Sequence, residues 1–196
     1  SSSLSVGTIN THLSSTDSAG SPASVQELPT PSVIIDFDGL QRNISTMSRI
    51  HPGAHLRPHM KATKCTSLAK LQVEAGHLSF TCATPREMIG MAHAGLGSDL
   101  LLANETLDAA RLGAMAKLQE SSMITVAIDS DATLAAAAKA GIRNVLIDVN
   151  VGLARCGVMP NLAGALADDA RKHGLNVRGV MGYEGHLMMV SEKNER

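Results

Sequence analysis

The 196 residues carry 17 basic and 18 acidic side chains, and a net charge of −1 offers no general attraction to nucleic acid or an anionic membrane. Hydrophobic residues make up 44%, enough for one substantial core, whereas 2% aromatic residues are too few for a base-stacking platform. No apolar run approaches the roughly 18 residues of a membrane span, and three cysteines without CxxC spacing favour reduced thiols. We therefore expect a cytoplasmic protein that binds neither nucleic acid nor membrane.

The first part of the chain differs in composition from the rest. Residues 1–28 are rich in Ser, Thr, Gly and Ala, and the first two dozen carry one charge, Asp17. This composition predicts a disordered leader, because it cannot bury enough apolar surface to fold. We expect the folded domain to occupy residues 29–196.

From Pro31 onward, short apolar runs alternate with helical segments, which is typical of successive βα units around a parallel sheet. The pattern predicts seven strands, over residues 32–37, 55–61, 78–83, 99–103, 123–129, 144–150 and 177–183. From residue 55 the strands recur about every 20 to 25 residues, apart from the last interval. This period predicts an incomplete (β/α)8 barrel with about six of its eight βα units, truncated at the carboxyl end. The alternative is a complete doubly wound sheet.

Local signals support these elements. Thr84 followed by Pro85 and Glu87 predicts a helix start, and Gly95 predicts its end. Five methionines at helical spacing or beside a strand are typical of core residues: Met88, Met91, Met181, Met188 and Met189.

The densest polar cluster, residues 57–65, ends the first repeating strand, where barrels place active sites. Strand alternation places Arg57, His59 and Lys61 on one face. If that face lines the barrel, desolvation and neighbouring cations lower the pKa of Lys61 and make its amine available for a Schiff base. The alternative is a set of exposed loop residues.

Histidines in this region also raise the question of a metal site. His51, His55 and His59 have the spacing of a metal-binding helix face, but Pro52 and Pro58 interrupt any such helix. We therefore predict no metal site here.

Two further clusters follow predicted strands. Arg155 lies in a loop with two glycines, where it can donate to a phenolate, carboxylate or phosphate oxygen, or be a surface turn residue. Residues 182–186 hold the only tyrosine, Tyr183, with His186. These two are candidate site residues or a structural pair.

Together these clusters resemble the D-threonine aldolase and D-serine dehydratase group, pyridoxal-phosphate enzymes of the alanine racemase fold type. The resemblance covers roughly residues 29–190. Its motifs, in order, are Thr30-Pro31, Val33-Ile34-Ile35-Asp36, Leu56-Arg57-Pro58-His59-Met60-Lys61, Thr81-Cys82-Ala83-Thr84, Leu101-Leu102-Ala103-Asn104, Asp148 to Gly157 and Gly182 to His186.

The resemblance implies that Lys61 holds pyridoxal 5'-phosphate as a Schiff base, with His59 as a second catalytic candidate. It implies that Arg155 lies near the phenolic oxygen of the cofactor, and that Tyr183 and His186 lie near its ring and phosphate. The first predicted strand would join a carboxy-terminal β-domain that this sequence does not contain.

The sequence departs from the family at two points. Thr63 stands between two lysines where members usually have histidine. The residues that bind the aldolases' divalent metal lie near the carboxyl terminus of members, beyond this sequence, so Mn²⁺ or Mg²⁺ is expected only in a full-length form.

Residues 182–186 are similar to the aldolases, so the implied activity is cleavage of a D-3-hydroxy amino acid to glycine and an aldehyde. The alternatives are a D-serine dehydratase-like ammonia-lyase and a non-catalytic pyridoxal-phosphate-binding protein. The implied partners are a small D-amino acid substrate and, in a full-length form, a second copy in a homodimer. The chain as it stands is expected to be a poor enzyme, because barrel phosphate sites use loops after strands seven and eight.

Overall fold

The computed structural model describes residues 24–191. Contacts divide the chain into two compact units, residues 1–46 and 47–196. The described part of the first unit contains a 3₁₀ turn at Val25–Glu27, an extended segment, and the start of helix α1 (Phe37–Ile50). Of the leader predicted over residues 1–28, all but residues 24–28 lie outside the described residues.

The strand predicted over residues 32–37 is wrong. The chain is extended as far as Asp36, and α1 begins at Phe37. The Asp36 carboxylate accepts a hydrogen bond from the Gly39 N–H at 3.0 Å, so it satisfies a donor in the first turn of α1. Residues 33–35 are exposed, and no strand in the described part of the chain pairs with them. Their β-branched composition favours a strand only where a neighbouring strand is available.

Five parallel strands form one sheet, and their order in space is their order in the chain. The strands are β1 (Ser79–Cys82), β2 (Asp99–Leu102), β3 (Met123–Ile128), β4 (Asn144–Asp148) and β5 (Asn176–Met181). The remaining helices are α2 (Thr66–Glu74), α3 (Pro85–His93), α4 (Ala109–Lys117), α5 (Asp131–Lys139) and α6 (Ala163–Lys172). A doubly wound sheet reverses its strand order at a switch point, whereas this order does not reverse. The architecture is therefore the predicted partial barrel.

The strand predicted over residues 55–61 is reduced to a single parallel bridge between His59 and Thr81 of β1. Part of the predicted range belongs to a 3₁₀ turn, Gly53–His55. Pro58 is buried and has no N–H to donate, so the segment cannot extend a regular ladder. It still lies beside β1, as the first unit of the barrel should.

A polar contact across the sheet shows that the sheet is curved. Arg178 of β5 donates to the Asp99 carboxylate of β2 at 2.8 Å with both terminal nitrogens, and to the Thr125 hydroxyl of β3 at 2.7 Å. In a flat sheet, β5 would lie about 14 Å from β2, at roughly 4.8 Å per strand. The two side chains meet because the strands curl towards one another, as in a barrel.

The core lies between the sheet and its helices. Met88 and Met91 of α3 are buried as predicted, but Met188 and Met189 are 68% and 93% exposed, so the prediction that they are core residues is wrong. They follow a 3₁₀ turn, Gly185–Leu187, at the end of the described chain rather than a helix packed on the sheet. None of the described helices is long and apolar enough to cross a membrane.

The predicted start of α3 has the expected cap. The Thr84 side chain accepts from the Glu87 N–H at 3.2 Å, and the Glu87 carboxylate accepts from the Ala83 N–H at 2.8 Å. The helix ends at His93, and Gly95 adopts a φ of 66° just beyond it.

Candidate active site

Lys61 stands at the carboxyl end of the segment that lies beside β1. The Met60 N–H donates to the Thr81 carbonyl at 2.8 Å, and the Thr81 N–H donates to the Pro58 carbonyl at 2.8 Å. These bonds fix the chain up to residue 60, and Lys61 is exposed immediately after them. Because parallel strands end at one edge of a sheet, Lys61 lies on the same side as the loops after β4 and β5.

Tyr183 connects those loops with Lys61. Its ring centroid lies 5.5 Å from Lys61 Nζ and 5.3 Å from Arg155 Cζ, both within cation–π range. Its hydroxyl donates to Met188 Sδ at 2.8 Å. The structure therefore brings together three of the predicted site residues, which come from three different strand ends.

His59 lies next to Lys61 and is half-buried. Its Nδ1 accepts a hydrogen bond from the Lys61 N–H at 3.2 Å. Burial and, after it, the positive charge of Lys61 lower the pKa of His59, so the ring is neutral at pH 7. Because Nδ1 accepts, the hydrogen bond assigns the proton of the neutral ring to Nε2.

His186 packs against the loop that carries Arg155. Gly152 in that loop has a φ of 121°, and a methyl group added there would lie 2.7 Å from His186 Nε2. The ring therefore occupies the space left by the missing side chain. Among the described residues, no hydrogen bond or ion pair joins His186 to Lys61 or Tyr183.

Arg57 does not join the others, so the predicted convergence of Arg57, His59 and Lys61 is wrong. Arg57 Nη2 lies 2.7 Å from the Asp99 carboxylate, and its Nη1 donates to the Asp99 carbonyl at 3.1 Å. Asp99 begins β2, so Arg57 points to the amino end of the sheet, away from the strand ends that carry the site. Lys61 is exposed, and the burial expected around its amine is not present.

Three side chains near Arg155 were not among the predicted site residues. Polar atoms of Glu105, Asp148 and Cys156 lie within 4.8 Å of one another. The Cys156 thiol donates to an Asp148 carboxylate oxygen at 3.3 Å, and Asp148 is only 4% exposed. Asp148 ends β4, Glu105 follows β2 by three residues, and Cys156 lies in the loop after β4, so the position of Glu105 and Asp148 at strand ends was the available signal in the sequence.

A groove of about 760 Å³ lies beside the site rather than on it. Its lining includes Met60, Lys64, Thr84, Asn104 and Glu105, and it does not include Lys61, Tyr183 or Arg155. Lys61 and Arg155 instead meet at the Tyr183 ring, outside this groove.

The partial barrel and the lysine at its carboxyl edge define the class of protein. The chain belongs to the alanine racemase N-terminal domain family, whose model matches residues 35–195. D-threonine aldolase of an Arthrobacter species is 32% identical over 177 residues, which cover 85% of this chain and 46% of that protein. The chain thus spans about half the length of the curated relatives that it matches.

Solved structures give the same picture. The crystal structure of D-threonine aldolase from Filomicrobium marinum matches with a TM-score of 0.80 at 29% identity, covering 87% of this chain and 48% of that one. D-threo-3-hydroxyaspartate dehydratase from a Delftia species matches with a TM-score of 0.69 at 28% identity, covering 80% of this chain and 44% of that one. Both proteins are named for D-3-hydroxy amino acids.

Proposed function

We propose that this chain provides the lysine-bearing part of a pyridoxal-phosphate-dependent lyase, which cleaves D-3-hydroxy amino acids to glycine and an aldehyde. One observation carries the proposal: Lys61 and Arg155 both lie against the Tyr183 ring, at the carboxyl ends of the strands, where barrels of this architecture place active sites. The similarity to D-threonine aldolases supports the choice of reaction.

The side chains present fit the cofactor. Lys61 offers an exposed primary amine, the group that reacts with an aldehyde. Arg155 offers an exposed guanidinium, which donates well to phenolate or phosphate oxygens. When bound, pyridoxal phosphate would supply an electron-withdrawing system for the electron pair of the breaking Cα–Cβ bond.

In this proposal the residues of the chain bind and orient. Lys61 would hold the cofactor through its amine, and the Tyr183 ring would pack beside it. Neutral His59 would position Lys61, because its Nδ1 accepts from the Lys61 backbone. Arg155 would hold the phenolic oxygen, and His186, exposed against Gly152, would contact the phosphate.

Borohydride trapping tests the proposal without requiring turnover. Reduction of the chain with pyridoxal phosphate, followed by peptide mapping, should label the peptide that contains Lys61. Lys61→Arg should abolish this label, whereas the matched control Lys70→Arg should retain it. Label on Lys64 or Lys70 with Lys61 unmodified would contradict the assignment.

Arg155→Lys tests the second contact. A point charge does not replace a planar fork, so the substitution should shift the absorbance band of the bound cofactor or its pH titration. If the spectrum and the titration stay unchanged, Arg155 is only a loop residue.

A dehydratase is the second candidate function, and the match to D-threo-3-hydroxyaspartate dehydratase is the observation that favours it. The products separate the two activities. Glycine and acetaldehyde from D-threonine indicate an aldolase, whereas ammonia and a 2-oxo acid indicate a dehydratase. In a full-length form, no turnover with Lys61 labelled would indicate a cofactor-binding protein.

For a full-length form we further propose a divalent ion, Mn²⁺ or Mg²⁺, and a homodimer, with the cytoplasm as its compartment. These three proposals rest on the family resemblance and the composition.

A further inference from the structure

One buried oxygen near the site lacks the hydrogen bond that it needs. Glu105 Oε1 is inaccessible to water and accepts no hydrogen bond, although polar atoms of Asp148 and Cys156 lie within 4.8 Å of this carboxyl group. Burying an unsatisfied carboxylate oxygen is costly, so the group requires an explanation. Asp148 has a partner already, because the Cys156 thiol donates to it.

We propose that Glu105 and Asp148 share one proton that is released near neutral pH, and that the singly charged pair positions the loop that carries Arg155. Two carboxylates this close and shielded from water cannot both be ionised at low cost. A proton on Glu105 converts an unsatisfied acceptor into a donor towards Asp148. Glu105 is then a positioning residue that acts through Arg155.

The electrostatic surroundings of Glu105 agree with this arrangement. Burial raises the pKa of Glu105 to about 7, and the neighbouring carboxylates of Asp148 and Asp129 act in the same direction. Arg155 is the nearby cation. Cys156 stays a thiol at neutral pH because burial raises its pKa to about 11, so it remains a donor.

The pair is connected to Arg155 through the stem of its loop. The residues after Arg155 are both held by carboxylates: the Cys156 thiol by Asp148 at 3.3 Å, and the Gly157 N–H by Asp129 at 3.1 Å. Ionising Glu105 adds a further negative charge beside them. We expect this charge to draw the Arg155 guanidinium away from Tyr183 and towards the carboxylates.

The shared proton does not depend on the proposed function, whereas its use in catalysis does. The test is therefore made on the 196-residue chain without cofactor. The chain is labelled with ¹³C at the glutamate carboxyl carbons and titrated by NMR. The Glu105 resonance should have a midpoint near pH 7, compared with about 4.3 for an ordinary glutamate. At pH 5.5 it should be about 3% ionised, whereas an ordinary glutamate would be over 90% ionised.

The loop is observed separately, because the chain has one tyrosine and no tryptophan, so its tyrosine emission reports Tyr183 alone. This emission should change with the same midpoint near pH 7. Glu105→Gln should remove that transition. Because this variant retains the nearby histidines, loss of the transition assigns it to Glu105 and not to a histidine. The exposed control Glu120→Gln should leave the transition intact.

Each result has a defined meaning. A Glu105 midpoint near the ordinary value overturns the shared proton, and this measurement on the wild-type chain needs no folded variant. A Glu105 midpoint near 7 without a matching Tyr183 transition overturns the positioning role. Asp148→Asn, a second variant, should lower the Glu105 midpoint, and an unchanged midpoint would exclude Asp148 as the partner. Failure of Lys61 labelling would count against the proposed function alone.

Discussion

Asp99→Asn removes the charge that holds two arginines together. The Asp99 carboxylate accepts from Arg57 Nη2 at 2.7 Å and from both terminal nitrogens of Arg178 at 2.8 Å, and each arginine side chain is 26% exposed. Asparagine keeps one acceptor oxygen, so about two charge-assisted bonds are weakened or lost. Each such bond contributes roughly 1.5 to 3 kcal/mol, and solvent screening of the partly exposed arginines reduces this contribution. We therefore expect the free energy of unfolding to fall by about 2 kcal/mol.

Urea unfolding followed by circular dichroism measures this loss as the difference in unfolding free energy from the wild-type chain. The matched control is Asp168→Asn, because the Asp168–Arg171 pair is exposed on the surface of α6. We expect the control to cost under about 0.5 kcal/mol. If Asp99→Asn costs no more than the control, the buried ion cluster does not stabilise the curved sheet and the reasoning fails.

The same substitution should change the response to acid. Burial raises the pKa of Asp99, but hydrogen bonds from Arg178 and Arg57 outweigh it and lower the pKa below its usual value. A lowered pKa adds stability above the unfolded value of about 3.9, and this stability disappears as the pH falls through the folded pKa. Asp99→Asn should lose this part of the acid dependence.

Two other predictions concern the site and the cysteines. Gly152→Ala places a methyl group 2.7 Å from His186 Nε2, at a residue with a φ of 121°. The substitution should shift the His186 ring resonances and destabilise the loop by about 1 to 3 kcal/mol. The control Gly164→Ala, whose methyl group meets nothing within 4 Å, should do neither. Unmoved His186 resonances would contradict the packing. Burial raises the pKa of Cys82 to about 12 and of Cys156 to about 11. Because only the thiolate reacts, iodoacetamide at pH 8 should alkylate Cys156 about a hundredfold and Cys82 about a thousandfold more slowly than a small thiol, as followed by mass spectrometry. Alkylation at the rate of the small thiol would show that these thiols are not shielded.

The five strands of the sheet were predictable from local patterns, whereas the absence of regular strands at residues 32–37 and 55–61 was not. The predicted strands from residue 78 onward overlap β1 to β5, because each is a short apolar run between helical segments. Residues 32–37 and 55–61 carry the same signal, but a strand also needs a partner and a donor at each step. Pro58 lacks that donor. Pairing is a property of distant residues, so composition alone could not exclude these two.

The site residues were predictable from their positions at strand ends more than from their chemistry. Lys61 and Tyr183 end predicted strands and Arg155 follows one, and parallel strands bring such residues to one edge. Arg57 was misplaced because its partner Asp99 lies 42 residues away, and no local pattern encodes that ion pair. Glu105 was missed because its chemistry comes from burial beside another carboxylate, which only the folded chain reveals.

The first turn of α3 also holds one of two neighbouring amines in an ion pair. Lys64, three residues after Lys61, forms an ion pair with Glu87, whose side chain is almost fully buried and also accepts from the Ala83 N–H. Lys64 must give up this pair before it can attack a carbonyl, whereas Lys61 faces only an aromatic ring. In the proposed function, the ion pair with Glu87 therefore reduces competition from Lys64, and Glu87→Gln should increase the labelling of Lys64 by pyridoxal phosphate and borohydride.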